Sequence, residues 1–509
     1  MLNNLTNFFN LIVGRRIKTQ LEPSDLIAIG TKQSPALGDY KPTAIKFSDL
    51  QAQVGGLQSV AVDGVTITGD GTPGNPLVAS IPSTGVNYSN VVFVDAVNGN
   101  DGTGIRNRFD RPYLTIPTAA LAAVALPGLS TSNRALVYVR RGEYLNPGTI
   151  ILYNNIDYYF EPGAYLTGTV LFRDLGVTVN ANVYGSVKIN NTSTSTMLQI
   201  QGDSVVTFEF DFILSTAAAW YITPSGASNK ITINGNYVYS QTFGQGWGVG
   251  FRNATNAVVN IKYAVEAVHS VVVWRFFTGN VTFNCPNINL TSGNIYGGNF
   301  KQALIVYDAS SNGKITVNGN VNNLDTIDYG GIGSLITFWS APNTRFTLNG
   351  NAYGGVIKAL DGNTYTSGVI EINGNLSSSK DYTVWAYGNG EVVIKNATII
   401  NTNTTGTNYA VAVNANGKFF FKDCYITCTN TDSNIVVING ASTNLVLDDC
   451  QLYSPGTLGS SVLSTVGAVN IRAKNSITNK AATVDITNIY APQGTLEVNA
   501  NVINPTSII

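Results

Sequence analysis

Few residues in this 509-residue chain have the types and spacing that catalysis needs. Cleaving a glycosidic bond takes two carboxyl groups roughly 5 to 10 Å apart, one acting as acid and the other as base or nucleophile. Asp325 and Asp328 lie three residues apart, with Tyr329 and Trp339 nearby. Glu209 and Asp211 flank Phe210, and Glu371 and Glu391 fall on neighbouring copies of the repeat described below. Aromatic rings at Tyr329, Trp339 and Trp385 could lie flat against a sugar, as could Trp220, Trp247 and Trp274. The ordinary alternative for each carboxylate pair is a solvated turn or strand face. For the tryptophans it is packing under loops or at a subunit interface. The ordinary readings are preferred, so no catalytic residue is assigned.

Other chemistries find less support. His269 sits three residues after Glu266, but no Ser or Cys motif surrounds it, so a hydrogen-bonded structural role is expected. A single His and no paired ligand spacing argue against zinc, and no Asp cluster has calcium-site spacing. The glycine-rich stretch Phe243 to Phe251 precedes no helical pattern, so it is not read as a phosphate cradle. No cofactor is implied. Cys424 and Cys450 occupy equivalent places in adjacent repeats and should stack as buried thiols; a disulfide between them is the minor alternative. With only Cys285 and Cys428 besides, a disulfide framework is not expected, in keeping with assembly in a reducing cytoplasm.

The elements that must position these residues announce themselves by repetition. Thirteen times between Val179 and Asn501 two apolar residues flank a polar one, a short Asn, Asp or Gly turn follows, and apolar residues resume. The clearest copies are Ile231 to Asn236, Ile315 to Asn320, Phe346 to Asn351 and Ile370 to Asn375. Taking the third turn residue as marker gives Asn182, Asp211, Asn236, Ala264, Pro286, Asn320, Asn351, Asn375, Ala397, Cys424, Cys450, Asn475 and Asn501. A unit of this size cannot bury its own apolar face and must stack on its neighbours. Period-two alternation makes each unit a strand with one buried face, formed by Ile231 and Ile233, Ile315 and Val317, Phe346 and Leu348, Ile370 and Ile372, Phe419 and Phe421, and Leu496 and Val498. Helical patterns are nearly absent between copies, so successive turns pair in parallel. The fold class is all-β, a right-handed single-stranded parallel β-helix with rungs about 4.8 Å apart, and thirteen rungs rise roughly 60 Å. Asn, about one residue in nine, can stack its amides from rung to rung. The longest intervals place side loops in Asn287 to Ile315 and Val321 to Thr344.

Composition narrows the partners. Charged residues are 12% and the net charge is −1, without a basic block, so nucleic-acid binding is not expected. No stretch has membrane-spanning length, and the amino terminus lacks the features of a signal peptide. Three regions emerge. Residues 1–55 are turn-rich, with a short amphipathic helix expected over Leu2 to Ile17, and should dock on another protein. Residues 56–88 form a small β module and linker, with a hairpin at Asp63-Gly64 and a Gly- and Pro-rich turn at Asp70 to Pro76. Residues 89–509 are the shaft. It opens with a strand at Val91 to Ala96 and a helix over Pro117 to Leu126, with Thr115 as N-cap and Pro127-Gly128 as stop. This helix should close the first coil against water and edge pairing.

Two passages resemble known families. Val92 to Ala123 (VFVDAVNGNDGTGIRNRFDRPYLTIPTAALAA), Ala135 to Tyr144 (ALVYVRRGEY) and Tyr158 to Leu166 (YYFEPGAYL) resemble the opening of pectate-lyase-like β-helix proteins, departing at Arg140-Arg141 where those often have proline. Val65 to Ser80 (VTITGDGTPGNPLVAS) resembles a module of bacteriophage tail-fibre and spike proteins, and Lys32 to Leu50 looks like phage-fibre amino termini. The resemblance implies a virion fibre or spike, assembled in the host cytoplasm. It would be anchored to other virion proteins through residues 1–55 and commonly homotrimeric, and would attach to a host-surface glycan or protein. The alternative it implies is a tailspike depolymerase, a glycoside hydrolase or polysaccharide lyase acting on host polysaccharide. A secreted polysaccharide lyase fits the fold but not the phage-like module.

Overall fold

The computed structural model describes residues 26–32, 40–46, 67–68, 78–79, 90–241, 247–291 and, in shorter stretches, 302–503. The chain divides into two compact units, Met1–Val86 and Asn87–Ile509. In the first, β1 (Leu26–Lys32) pairs antiparallel with β2 (Tyr40–Lys46), a hairpin that the irregular pattern of this stretch did not suggest. Ile67–Thr68 pairs antiparallel with Val78–Ala79. The helix expected over Leu2 to Ile17, the hairpin at Asp63-Gly64 and the linker that ends residues 56–88 lie outside the described residues.

The second unit is a parallel β-helix. Its first face is an unbroken column of parallel strands, beginning Asn90–Val94, Ala135–Val139, Ile156–Phe160, Asn180–Gly185 and Val205–Ser215. The column continues through every later repeat to Thr495–Val498. The thirteen repeats are therefore thirteen successive rungs, and three further coils precede them. Between the first coil and the last, each coil contributes a second strand after a corner, and then a third in a separate 14-stranded sheet running from Gly148–Ile151 to Ile489–Tyr490. The core fills the space between these faces. One inner column, in register, reads Phe208, Ile233, Val259, Phe283, Val317, Leu348, Ile372, Ile394, Phe421 and Leu447, each fully buried. Alternation predicted this inward face because side-chain direction is strictly period two in a strand. Trp220 and Trp274 project into the same core, and Trp274 stacks on Phe251 at 6.0 Å, so both pack rather than face a ligand.

Register corrects several of the turn markers, Ala397 and Asn475 by one position each. Asn182 pairs with Thr207 within the first strand, and the corner equivalent to Asp211 is Val187, because Lys188 pairs with Phe212. Ala264 pairs with Asn287 rather than Pro286. Asn501 begins a strand that turns back antiparallel on Leu496–Val498 instead of adding a coil.

That reversal pairs with the last strand of the first column, and the amino-terminal edge of that column is covered by two devices. The helix α1 (Ile116–Val124) lays Ile116, Ala119, Ala120 and Ala123 on the first coil, with Thr115 as N-cap accepting from the Thr118 amide. Asp101 of the Asn-Gly-Asn-Asp-Gly turn fixes its start, accepting from the Leu114 and Thr115 amides and from the Thr115 and Thr118 hydroxyls. The backbone edge itself is satisfied by the segment before the helix. Asn107 N donates to Val91 O, Val91 N to Asn107 Oδ1, and Tyr113 N to Phe93 O. The helix shields the core while this segment consumes the edge amides. Arg140, where the pectate-lyase-like pattern often has proline, lies 3.4 Å over the Phe109 ring and pairs with Asp95 at 2.9 Å, holding that segment down.

A candidate ligand groove along an asparagine ladder

Asp325, Asp328 and Tyr329 lie outside the described residues. Trp339 ends the strand Ser334–Trp339 of the 14-stranded sheet, opposite Tyr307 and Leu360. The segments expected as side loops thus contain strands as well, at Gln302–Tyr307 and Ser334–Trp339. Glu371 and Glu391 lie on neighbouring rungs, displaced by two positions, since Glu371 pairs with Val393 and Glu391 with Val369. Glu371 accepts from Arg345 Nη2 at 2.7 Å and from Lys395 Nζ at 3.0 Å. The Arg345 hydrogen bond and then that of Lys395 lower its pKa. A general acid needs the opposite shift, so Glu371 is placed as an ion-pair centre. His269 is buried, with Nδ1 3.2 Å from Ser270 Oγ, while Glu266 is held by the Tyr237 hydroxyl and Asn289. Among the described residues no group of three or more His, Cys, Asp or Glu could hold a metal ion, and no helix is long and apolar enough to cross a membrane. Cys424 and Cys450 are buried on adjacent rungs and are not joined by a disulfide.

The outer face of the first column carries a different arrangement. Read by register, one line of side chains begins Phe93, Tyr138, Tyr159 and Tyr184, whose rings follow one another at 5.2 to 6.1 Å. Farther along, the same outer face carries Glu209, Asn234, Asn260, Asn284, Asn318, Asn349, Asn373 and Lys395 in register. The six asparagines form one directional hydrogen-bonded ladder. Asn260 Nδ2 donates to Asn234 Oδ1 (2.9 Å), Asn284 to Asn260 (2.7 Å), Asn318 to Asn284 (2.6 Å), Asn349 to Asn318 (2.8 Å) and Asn373 to Asn349 (2.9 Å). Asn234 donates in turn to Glu209 Oε1 at 3.2 Å. A carboxylate can only accept, so Glu209 sets the polarity of the whole ladder.

The glycine of the Asn-Gly-Asn phrase makes the corner beside this ladder. A Cβ on Gly350 would lie 2.1 Å from the Gly319 carbonyl oxygen, and one on Gly235 would enter the Phe210 ring. Only glycine allows so close an approach. Beside the ladder runs an open groove of about 620 Å³ that crosses six coils, from Gly185 past Glu209, Asn234, Asn260 and Asn284 to Asn318. It adjoins at Asn236 a second depression of about 510 Å³, lined by Tyr165, Lys188, Asp211, Phe212, Tyr237 and Tyr263. Here Phe212 and Tyr237 stack in parallel at 5.3 Å, and Tyr263 is exposed. Burial, then the Glu266 carboxylate, raises the Tyr237 pKa, so its hydroxyl stays a donor to Glu266 (2.6 Å) and the ring is fixed. Glu209 and Asp211 point outward from either side of buried Phe210 and serve as hydrogen-bond ends, Asp211 accepting from Asn236 at 2.7 Å.

A second aromatic surface lies on the 14-stranded sheet, where Trp385 is half-buried and stacks on Tyr382 at 5.6 Å, with Tyr409 following at 5.8 Å. Trp247 packs on Tyr221 at 5.6 Å, and Gly250 of the glycine-rich stretch is where that pair needs space. Sequence reasoning foresaw the stacked amides but not the groove, whose walls come from residues about 25 positions apart.

No family model, curated protein or solved structure matches this chain.

Proposed function

We propose that the chain is a structural fibre or spike of a bacteriophage particle, its β-helix serving as a stiff shaft that attaches to the host surface. The observation that carries this reading is the lateral groove. Aromatic rings and amides line one flank of the solenoid. The phage-like passages at Lys32 to Leu50 and Val65 to Ser80 support it, as does a separate amino-terminal unit suited to anchoring. Residues 1–55 would dock on other virion proteins and the shafts would assemble as homotrimers. Trp385 with Tyr382 and Tyr409, and Tyr329 with Trp339, would be further contact surfaces for a glycan.

The test is competition. Purified protein added to susceptible cells should block adsorption of particles that carry it, and antibodies to the shaft should decorate those particles. Absence from the particle would refute the reading. The alternative, a depolymerase, is favoured if host polysaccharide gains reducing ends on incubation and Asp325→Asn abolishes the gain.

A further inference from the structure

We infer that the groove beside the asparagine ladder binds an uncharged polysaccharide chain laid parallel to the solenoid axis, with the Phe212, Tyr237 and Tyr263 rings as its stacking platform. The inference rests on the attachment reading and narrows the ligand from glycan or protein to one class.

Hydrogen-bond arithmetic comes first. An amide side chain has two N–H donors and two acceptor lone pairs. From Asn260 to Asn349 the ladder uses one donor and one lone pair of each residue. One N–H and one lone pair per rung therefore remain, repeated about every 4.8 Å. Asn260 and Asn349 are exposed and Asn284 and Asn318 half-exposed, so solvent or a ligand can reach them. Sugar hydroxyls both donate and accept, which a row of alternating donors and acceptors matches.

Shape and charge agree. The groove meets only one to three residues in each coil but crosses six coils, so its long axis runs along the solenoid, over roughly 24 Å at rung spacing. Few charges line it, and they are of both signs. Lys188 lies 3.8 Å from Asp211, Glu209 accepts from Asn234, and Lys262 lies 5.0 Å over the Tyr263 ring. An acidic chain would find no unpaired cation cluster here. A peptide strand would find no sheet edge to extend, because each coil's backbone is already paired to the coil above and below. The exposed ring of Tyr263 and the outer edges of the stacked pair Phe212–Tyr237 offer apolar aromatic surface against which the C–H groups of pyranose rings can pack.

The experiment uses the full chain on an array of neutral, N-acetylated and uronic-acid-containing oligosaccharides of graded length, alongside the adsorption competition. Binding should be confined to uncharged chains and should strengthen with length until the chain spans the groove. Tyr263→Ala and Asn260→Asp, both at exposed positions, should each weaken binding about tenfold while leaving the circular dichroism spectrum unchanged. Preference for uronic acid chains, or binding that neither variant alters, would overturn the assignment. Array-wide silence with intact competition would overturn it in favour of a protein receptor. Loss of competition together with array-wide silence would sink the attachment reading as well.

Discussion

Replacing Asn284 by aspartate tests whether the ladder is a directional structure or a row of independent side chains. Asn284 donates to Asn260 and accepts from Asn318. A carboxylate keeps the second bond and loses the first, leaving its oxygen against Asn260 Oδ1. Asn260 cannot relieve the clash by flipping its amide, because it would then present oxygen to Asn234. If Asn234 flipped too, the conflict would move to Glu209, which has no proton to give. One acceptor–acceptor contact must persist somewhere. The lost bond is worth about 1 kcal/mol and the repulsion at this half-exposed site about as much again, so Asn284→Asp should destabilise by roughly 1–2 kcal/mol at neutral pH. Glu209→Gln supplies a donor at the end of the row and lets the amides above position 284 reverse. The double variant should therefore recover about 1 kcal/mol relative to the sum of the single changes. Guanidinium unfolding followed by circular dichroism measures all four corners of the cycle. Additive effects, or an Asn284→Asp variant as stable as the parent, would refute a polarity set by Glu209.

Ile233→Ala, at a fully buried position between Phe208 and Val259, should cost about 2–5 kcal/mol, whereas Thr232→Ala on the outer face should stay within about 0.5 kcal/mol in the same assay. Gly350→Ala should be far more disruptive than Gly148→Ala. Both have positive φ, but an added Cβ meets backbone oxygen at 2.1 Å in the first and nothing within 4 Å in the second, so thermal unfolding should separate them clearly. The lowered pKa of Glu371 stabilises the fold above its unfolded pKa, and that contribution is lost as pH falls through the folded value. Glu371→Gln should therefore flatten the acid side of the stability–pH profile, and an unchanged profile would mean that the Arg345 and Lys395 bonds contribute nothing.

The parallel β-helix was legible in the sequence because its signal is local. Alternation over five residues sets which side chains face inward, and it held at Ile231 and Ile233, Phe346 and Leu348, and Phe419 and Phe421. The capping helix was legible for the same reason, through Thr115, the alanine run and Pro127-Gly128. Register was not. Asn236 alone separates Gly235 from Tyr237 where Lys262 and Tyr263 separate the paired Ile261 and Ala264, and the three residues between Asn260 and Ala264 face two between Asn284 and Asn287. Counting along the chain from the turn therefore misaligns coils that align at the first asparagine of the phrase.

What the sequence by itself determined is the repeat, the buried face and the stacking of coils, since each follows from the period of apolar residues and from the short reach of turn chemistry. The tertiary structure alone decided which residues share the outer column: that Glu209 ends the ladder, that six asparagines point their amides one way, and that a groove opens between this row and Tyr237. Those relations join residues some 25 positions apart, and corner bulges that change length from coil to coil decide which of them meet.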